Sequence, residues 1–265
     1  MKLQTDYPLL KVGDFMSSPV ITAHPDTRFS DAVQTMLLKG IGNIVVTEGE
    51  KVEGILTERE MLLHLALNKA IPDKQIKYVL TQKVARVTPS TEVLEAARTM
   101  ISKKARLLVF QKDRRTGVSD RLIGIITASD IVRALLKSKS NPSIEGAMAN
   151  KIVTLQPDST ILSAVKTMLK KGIGSVVISV NGPPYAMFTE RDLLNRILGE
   201  NVDRLEKVGG YCTTPVITAK LGIGAKEAGK LMLRHRIKRL PLTRYGKIVA
   251  MVTARDLVEA YVKEK

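Results

Sequence analysis

The stretch Gly54-Ile55-Leu56-Thr57-Glu58-Arg59-Glu60 decides how this chain is read, because the chain writes it four times. It returns as Gly124-Ile125-Ile126-Thr127-Ala128-Ser129-Asp130, as Ala186-Met187-Phe188-Thr189-Glu190-Arg191-Asp192, and as Ala250-Met251-Val252-Thr253-Ala254-Arg255-Asp256. Each copy is a small residue, two apolar residues, a threonine, two variable positions and a carboxylate. Threonines 57, 127, 189 and 253 stand 70, 62 and 64 residues apart, a domain-sized period. The apolar piece reads as a short buried strand, and helical spacing begins directly after it (Met61-Leu62-Leu63, Ile131-Val132, Leu193-Leu194, Leu257-Val258). The threonine therefore stands where a helix N-cap belongs, with an acid three residues on, as in a capping box. A helix cap is the plain structural reading of every copy.

Working outward, one order of elements recurs. Val20-Ile21-Thr22 is a short extended piece, Phe29, Ala32, Val33, Met36 and Leu37 fall at helical spacing, and Lys39-Gly40 ends that helix. Ile44-Val45-Val46 and Val52 to Leu56 form a hairpin across Glu48-Gly49-Glu50-Lys51, and a helix from Arg59 to about Asn68 closes the unit. The same strand–helix–strand–strand–helix order follows from Val84, Ile152 and Val216. Thr35 to Asn43 closely matches Thr167 to Ser175, whereas the second and fourth copies share Thr-Ala-x-Asp and a basic residue, Arg106 or Arg239, entering the middle strand. The period of the whole is thus a pair. The expected division is a lead-in over 1–11, repeats over 12–68, 79–137, 147–199 and 208–262, and a linker over 138–146.

Composition narrows the function classes. With 265 residues, 44% hydrophobic and 26% charged, the chain can bury a sizeable core. Its net charge of +16 favours polyanionic partners. Aromatics at 4% and no Trp leave few platforms for stacking unpaired bases. Cys212 is the only cysteine, so an intrachain disulfide is excluded, a reducing cytoplasm is the expected setting, and this thiol reads as passive. His24, His64 and His235 lack ligand spacing, so no metal site is expected. No signal peptide or membrane-length apolar run appears in the sequence. No nucleophile–base pair or complete phosphate loop appears either, so the chain reads as a non-enzyme. Gly40-x-Gly42 and Gly172-x-Gly174 follow helices instead of opening them, which makes them caps and turns.

The extended Val-Ile-Thr pieces, the hairpins and the four Thr-x-x-Asp/Glu strings together resemble the CBS domain, and their layout resembles two CBS pairs (Bateman modules) in tandem. The resemblance covers roughly residues 12–262. It implies an α/β (α+β) fold of four β-α-β-β-α repeats, paired into two pseudo-two-fold modules. It also implies clefts that bind adenosine-containing ligands, chiefly AMP, ADP and ATP and less often S-adenosylmethionine, in proteins that regulate a partner. Carried over by position, the ribose-binding carboxylate falls on Glu60, Asp130, Asp192 and Asp256; an ionised carboxylate accepts hydrogen bonds from both ribose hydroxyls. Thr57, Thr127, Thr189 and Thr253, at helix starts, would meet phosphate. Thr22, Thr88, Thr154 and Thr218 would frame adenine. The position entering the middle strand, often basic where phosphate binds, is Asn43, Arg106, Ser175 and Arg239.

The copies are not equal. Glu60 is a methylene longer than Asp, which makes its cleft the one expected to fail, and Ala186 and Ala250 replace glycine. Ser129 keeps a hydroxyl where the other strings carry Arg59, Arg191 and Arg255, which could hold phosphate or point to solvent. The best-equipped clefts combine Thr127, Ser129, Asp130 and Arg106, and Thr253, Asp256 and Arg239.

A second expectation comes from charge. Lys226, Lys230 and Arg234 stack on one helical face opposite Ala225, Ala228, Leu231 and Met232, and a basic hairpin loop carries Lys112, Arg114 and Arg115. A solvated face is the plain reading. The alternative is docking to RNA, a ribosomal particle or an acidic protein, with the clefts as switch or vestige. Whether the two modules pair within one chain or in a homodimer is open at this point.

Overall fold

The computed structural model describes residues 9–67, 74–112, 120–180 and 184–264. The first repeat holds β1 (Thr22–Ala23), α1 (Phe29–Lys39), β2 (Asn43–Glu48), β3 (Lys51–Thr57) and α2 (Glu58–Leu67). The second holds β4 (Val84–Val87), α3 (Val93–Ser102), β5 (Arg106–Lys112), β6 (Asp120–Ile126) and α4 (Ala128–Lys137). The third holds β7 (Thr154–Leu155), α5 (Ile161–Lys171), β8 (Ser175–Ser179), β9 (Pro184–Thr189) and α6 (Glu190–Asp192), which continues as a π-helix over Leu193–Leu198. The fourth holds β10 (Ala219–Lys220), α7 (Ala225–Arg234), β11 (Arg239–Arg244), β12 (Lys247–Thr253) and α8 (Ala254–Glu264). Each repeat makes its own three-stranded sheet, with a parallel first pair and an antiparallel hairpin.

Alternation along β2 explains how repeats pair. Ile44 and Val46 turn to the helices, whereas Val45 turns to the other sheet of the module and packs with Ile55, Leu108, Phe110 and Ile125. Strands buried on both faces read as unbroken apolar runs, which is how Ile44-Val45-Val46 appears in the sequence. The segment leading into each repeat crosses to its partner. Ser17 pairs with Ile125, Thr81 with Ile55, Ala149 with Met251 and Thr213 with Met187. The same reciprocity puts Val12 and Phe15 in the core of the second repeat, and Ile76 and Val79 in that of the first.

The two modules close on each other within one chain. One continuous core joins the first and third repeats, and another joins the second and fourth. At Gly229 an added Cβ would stand 2.8 Å from Val132 Cγ1, so α7 needs a residue without a side chain to lie this close to α4. Residues 138–146 are not a loose tether. Ser140 and Ile144 are buried, and Asn141 Oδ1 accepts from the Lys226 amide at 3.0 Å, capping the start of α7. Helix ends again separate the two kinds of repeat. Gly40 and Gly172 end α1 and α5 in the left-handed region at φ 62° and 68°, a conformation glycine adopts without strain. Lys104 and Arg236 hold the corresponding turns at 49° and 53° in the second and fourth repeats.

Candidate functional site

The four strings are helix caps and something more. Thr127 N and Oγ1 both donate to Asp130 Oδ2 at 2.8 Å. Thr189 N and Oγ1 donate to Asp192 Oδ2 at 2.9 and 2.7 Å, Thr253 N donates to Asp256 Oδ2 at 2.7 Å, and Thr57 N and Oγ1 donate to Glu60 Oε2. Each cap uses one carboxylate oxygen. The other oxygen distinguishes the copies. Asp130 Oδ1 takes Arg133 Nη2 at 2.6 Å, and that guanidinium also reaches Phe15 O at 2.6 Å, closing the site against the lead-in of the first repeat. Asp192 Oδ1 takes Thr213 Oγ1 at 2.6 Å. Asp256 Oδ1 and Glu60 Oε1 have no hydrogen-bond partner among the described residues; beside the Asp256 string the residue in the place of Thr213 is Ala149, without a hydroxyl. Burial raises the pKa of Asp130 and of Asp256, against the lowering effect of their threonine hydrogen bonds.

The second and third positions of the strings meet at the seam between modules. Arg59 Nη1 donates to Ile173 O at 2.9 Å, Arg191 Nη1 to Gly40 O at 3.3 Å, and Arg255 Nη2 to Met100 O at 3.2 Å. All three arginines thus reach the C-terminal end of the first helix in the facing repeat, where orphan carbonyls concentrate negative partial charge. Arg59 and Arg191 are held by carboxylates as well, whereas Arg255 makes no ion pair among the described residues and keeps guanidinium N–H groups beyond the one given to Met100 O. Ser129 is too short to do the same, and a pocket of about 220 Å³ opens there between α4 and the end of α7, lined by Ser129, Val132, Met232, Leu233, Arg236 and Lys238.

Glutamates at the seam then divide the cations. Glu58 takes Arg191 Nε at 2.5 Å and Lys238 Nζ at 3.4 Å; Glu190 takes Arg239 Nη2 at 2.7 Å and Arg59 Nη1 at 3.5 Å. The second and fourth strings carry Ala128 and Ala254 at this position, so no carboxylate is supplied there. The Arg106 guanidinium has no hydrogen bond or ion pair among the described residues and lies beside Arg255. Burial, then the neighbouring Arg106 guanidinium, pulls Arg255 below the usual arginine value.

These contacts revise the expected sites. Arg239, expected to be ready for phosphate, is held by Glu190. Arg106 is free, but its neighbour is Arg255 of the other module. Thr22 and Thr154 pair with Val45 and Val177, each two residues into the middle strand. The same register in the second repeat pairs Arg86 with Leu108, so Arg86, not Thr88, is the equivalent of Thr22. Thr88 instead bonds Ser90 and Thr91 hydroxyls at 3.0 Å in the turn before α3. The residues that do pair beside the strings are Ser17, Thr81, Ala149 and Thr213, each five positions upstream of that register. Sequence reading misses them. Their signal is the lead-in's fixed offset from each repeat, visible only once strands are known to cross.

The basic stripe is also revised. Lys226 Nζ donates to Ser138 O at the end of α4 and is not solvent-facing, whereas Lys230 and Arg234 are exposed. Lys112 ends β5, exposed; Arg114 and Arg115 lie outside the described residues. Cys212 is buried, donates to Val208 O at 2.9 Å, and has its pKa pushed up to about 12 by burial.

Four matches to the CBS domain model cover residues 12–67, 76–137, 144–199 and 208–263. The chain belongs to the CBS-domain family. Protein MJ1225 of Methanocaldococcus jannaschii is 26% identical over 201 residues, covering 69% of this chain and 70% of that one. Its crystal structure, described as that of a proposed archaeal homologue of g-AMPK, superposes with a TM-score of 0.79 at 19% identity over 95% of this chain and 100% of that one. Protein MJ1404 of the same organism is 25% identical over 98% of this chain, which spans 63% of MJ1404. A conserved Pyrococcus horikoshii protein superposes at 0.64, 18% identity, over 94% of this chain and 99% of that one. The CBS fold is therefore shared over the whole double-module arrangement. No helix among the described residues is long and apolar enough to cross a membrane.

Proposed function

We propose that this CBS-domain protein is a non-enzymatic regulator that binds an adenine nucleotide (AMP, ADP or ATP) in the cleft ending in Asp256. Ribose sits on Asp256, and phosphate meets Arg255 and Arg106. One observation carries the reading: Asp256 keeps a carboxylate oxygen without a hydrogen bond among the described residues, next in the chain to Arg255, whose neighbour across the modules is the Arg106 guanidinium. An open acceptor suits a ribose diol, and a like-charged pair is relieved by an anion. Arg255 belongs to one module and Arg106 to the other, so phosphate held by both favours the docked arrangement. A ligand shifts a conformational balance only through such unequal affinity. The likeness to MJ1225 points the same way.

Calorimetry with AMP, ATP and S-adenosylmethionine tests the proposal. Binding of AMP or ATP is expected, together with its loss in Asp256→Ala; a folded protein indifferent to both nucleotides rejects it.

A second reading, docking to RNA or a ribosomal particle, rests on the exposed Lys230 and Arg234 and the charge of +16. Sedimentation with ribosomes over a salt series tests it, and no co-sedimentation at low salt removes it.

A further inference from the structure

We infer that Glu58 and Glu190 are built-in counter-anions that occupy the cations of the first, third and fourth repeats and so set the charge of the ligand the seam accepts, with Glu190 the residue that disfavours polyphosphates. The inference rests on the nucleotide reading above and specifies which ligand that site prefers. Glu58 and Glu190 are largely buried, with side chains 9% and 12% exposed. Between them they hold Arg59, Arg191, Lys238 and Arg239, drawn from three repeats and both modules. Gly42 and Gly174 leave room for these networks. An added Cβ at 42 would stand 2.9 Å from Glu58 Oε1, and one at 174 would stand 2.5 Å from Glu190 Oε2 and collide with the Arg239 guanidinium.

Physical chemistry gives the direction of the effect. A guanidinium already bonded to a buried carboxylate has little left to offer a phosphate, and the carboxylate itself repels one. Arg106 and Arg255, neither of them held by Glu58 or Glu190, suffice for a single phosphate. Arg239 pairs across the hairpin with Thr253 of the same string as Asp256, so it is the next cation for a longer polyphosphate, which must displace Glu190 to reach it. Neutralising Glu190 leaves Arg239 without its carboxylate in a half-buried place, and an incoming phosphate then satisfies it.

The test titrates wild type, Glu58→Gln, Glu190→Gln and Glu190→Asp with AMP, ATP and inorganic tripolyphosphate. Glu190→Gln is expected to bind ATP and tripolyphosphate about tenfold more tightly, AMP within about threefold, and Glu190→Asp to fall between, as for loss of one competing buried charge. Unchanged ATP and tripolyphosphate affinity in Glu190→Gln overturns the inference. Should that variant not fold, Glu190→Asp, which shortens the reach to Arg239, carries the test, and absence of any gain there overturns the inference equally. Tighter tripolyphosphate binding with no nucleotide binding in any variant upholds the counter-anions and rejects the nucleotide reading. Nucleotide binding with no gain in either glutamine variant does the opposite.

Discussion

Arg191 Nε lies 2.5 Å from Glu58 Oε1 across the boundary between the two modules, and the same guanidinium reaches Gly40 O. One side chain thus ties the second helix of the third repeat to both helices of the first. Arg191→Ala removes both ties and leaves Glu58 with Lys238 at 3.4 Å. Because Arg191 is 39% exposed, the expected cost is about 1–2 kcal/mol, below that of a fully buried pair. Urea unfolding measures it, and a midpoint equal to wild type would show that the bridge contributes nothing to module docking.

Ser129 is the string position where the cross-module arginine is missing. Ser129→Arg should fill the 220 Å³ pocket and donate to carbonyls at the end of α7, as Arg255 does at α3. The expected gain is about 0.5–1 kcal/mol, one hydrogen bond to a helix end. A lower melting temperature would mean that Arg236 and Lys238 repel the new charge more than the carbonyls attract it.

Asp256 links stability to ligand binding through pH. Its folded-state pKa is raised above the unfolded value by burial, so the folded protein takes up this proton first. The ionised carboxylate costs stability at neutral pH, and that cost is relieved as pH falls through the raised pKa. Asp256→Asn should therefore be at least as stable as wild type at neutral pH, with any advantage shrinking on acidification. Nucleotide affinity should run the other way, weakening in wild type as the carboxylate protonates. Thermal melts and titrations over one pH series check both slopes; an asparagine variant that keeps full nucleotide affinity would remove Asp256 from the site.

Lys226 and Lys230 separate structure from surface. Lys226→Glu puts a negative charge against Ser138 O at the end of α4, with an expected cost of about 1 kcal/mol or more. Lys230→Glu lies on solvent and should change stability by less than about 0.5 kcal/mol. Only the second is a clean probe of polyanion docking, read as a shallower salt dependence of RNA binding.

Much of the fold is legible in the sequence because it rests on local rules. The Thr-x-x-Asp caps, Gly40 and Gly172 at helix ends, and the apolar run Ile44-Val45-Val46 are each dictated within a few residues of chain. The site is less legible. Thr88 stands in for Arg86 in the sequence pattern because it is a threonine only two residues away, and strand register alone separates them. Lys226 reads as solvent-facing because helical spacing describes one helix, not the α4 end packed against it.

What the sequence by itself determined is the repeat, its internal order, its pairing, and the four strings that carry an acid to each helix start. What only the tertiary structure decided is which of those charges are still available. Glu190 and Arg239 are 49 residues apart, Glu58 and Arg191 are 133, and Ala149 pairs beside the Asp256 string from another repeat, bringing no hydroxyl where Thr213 brings one to Asp192. A charge's readiness for a ligand depends on every group within a few ångströms of it, and at the seam those groups come from three repeats at once.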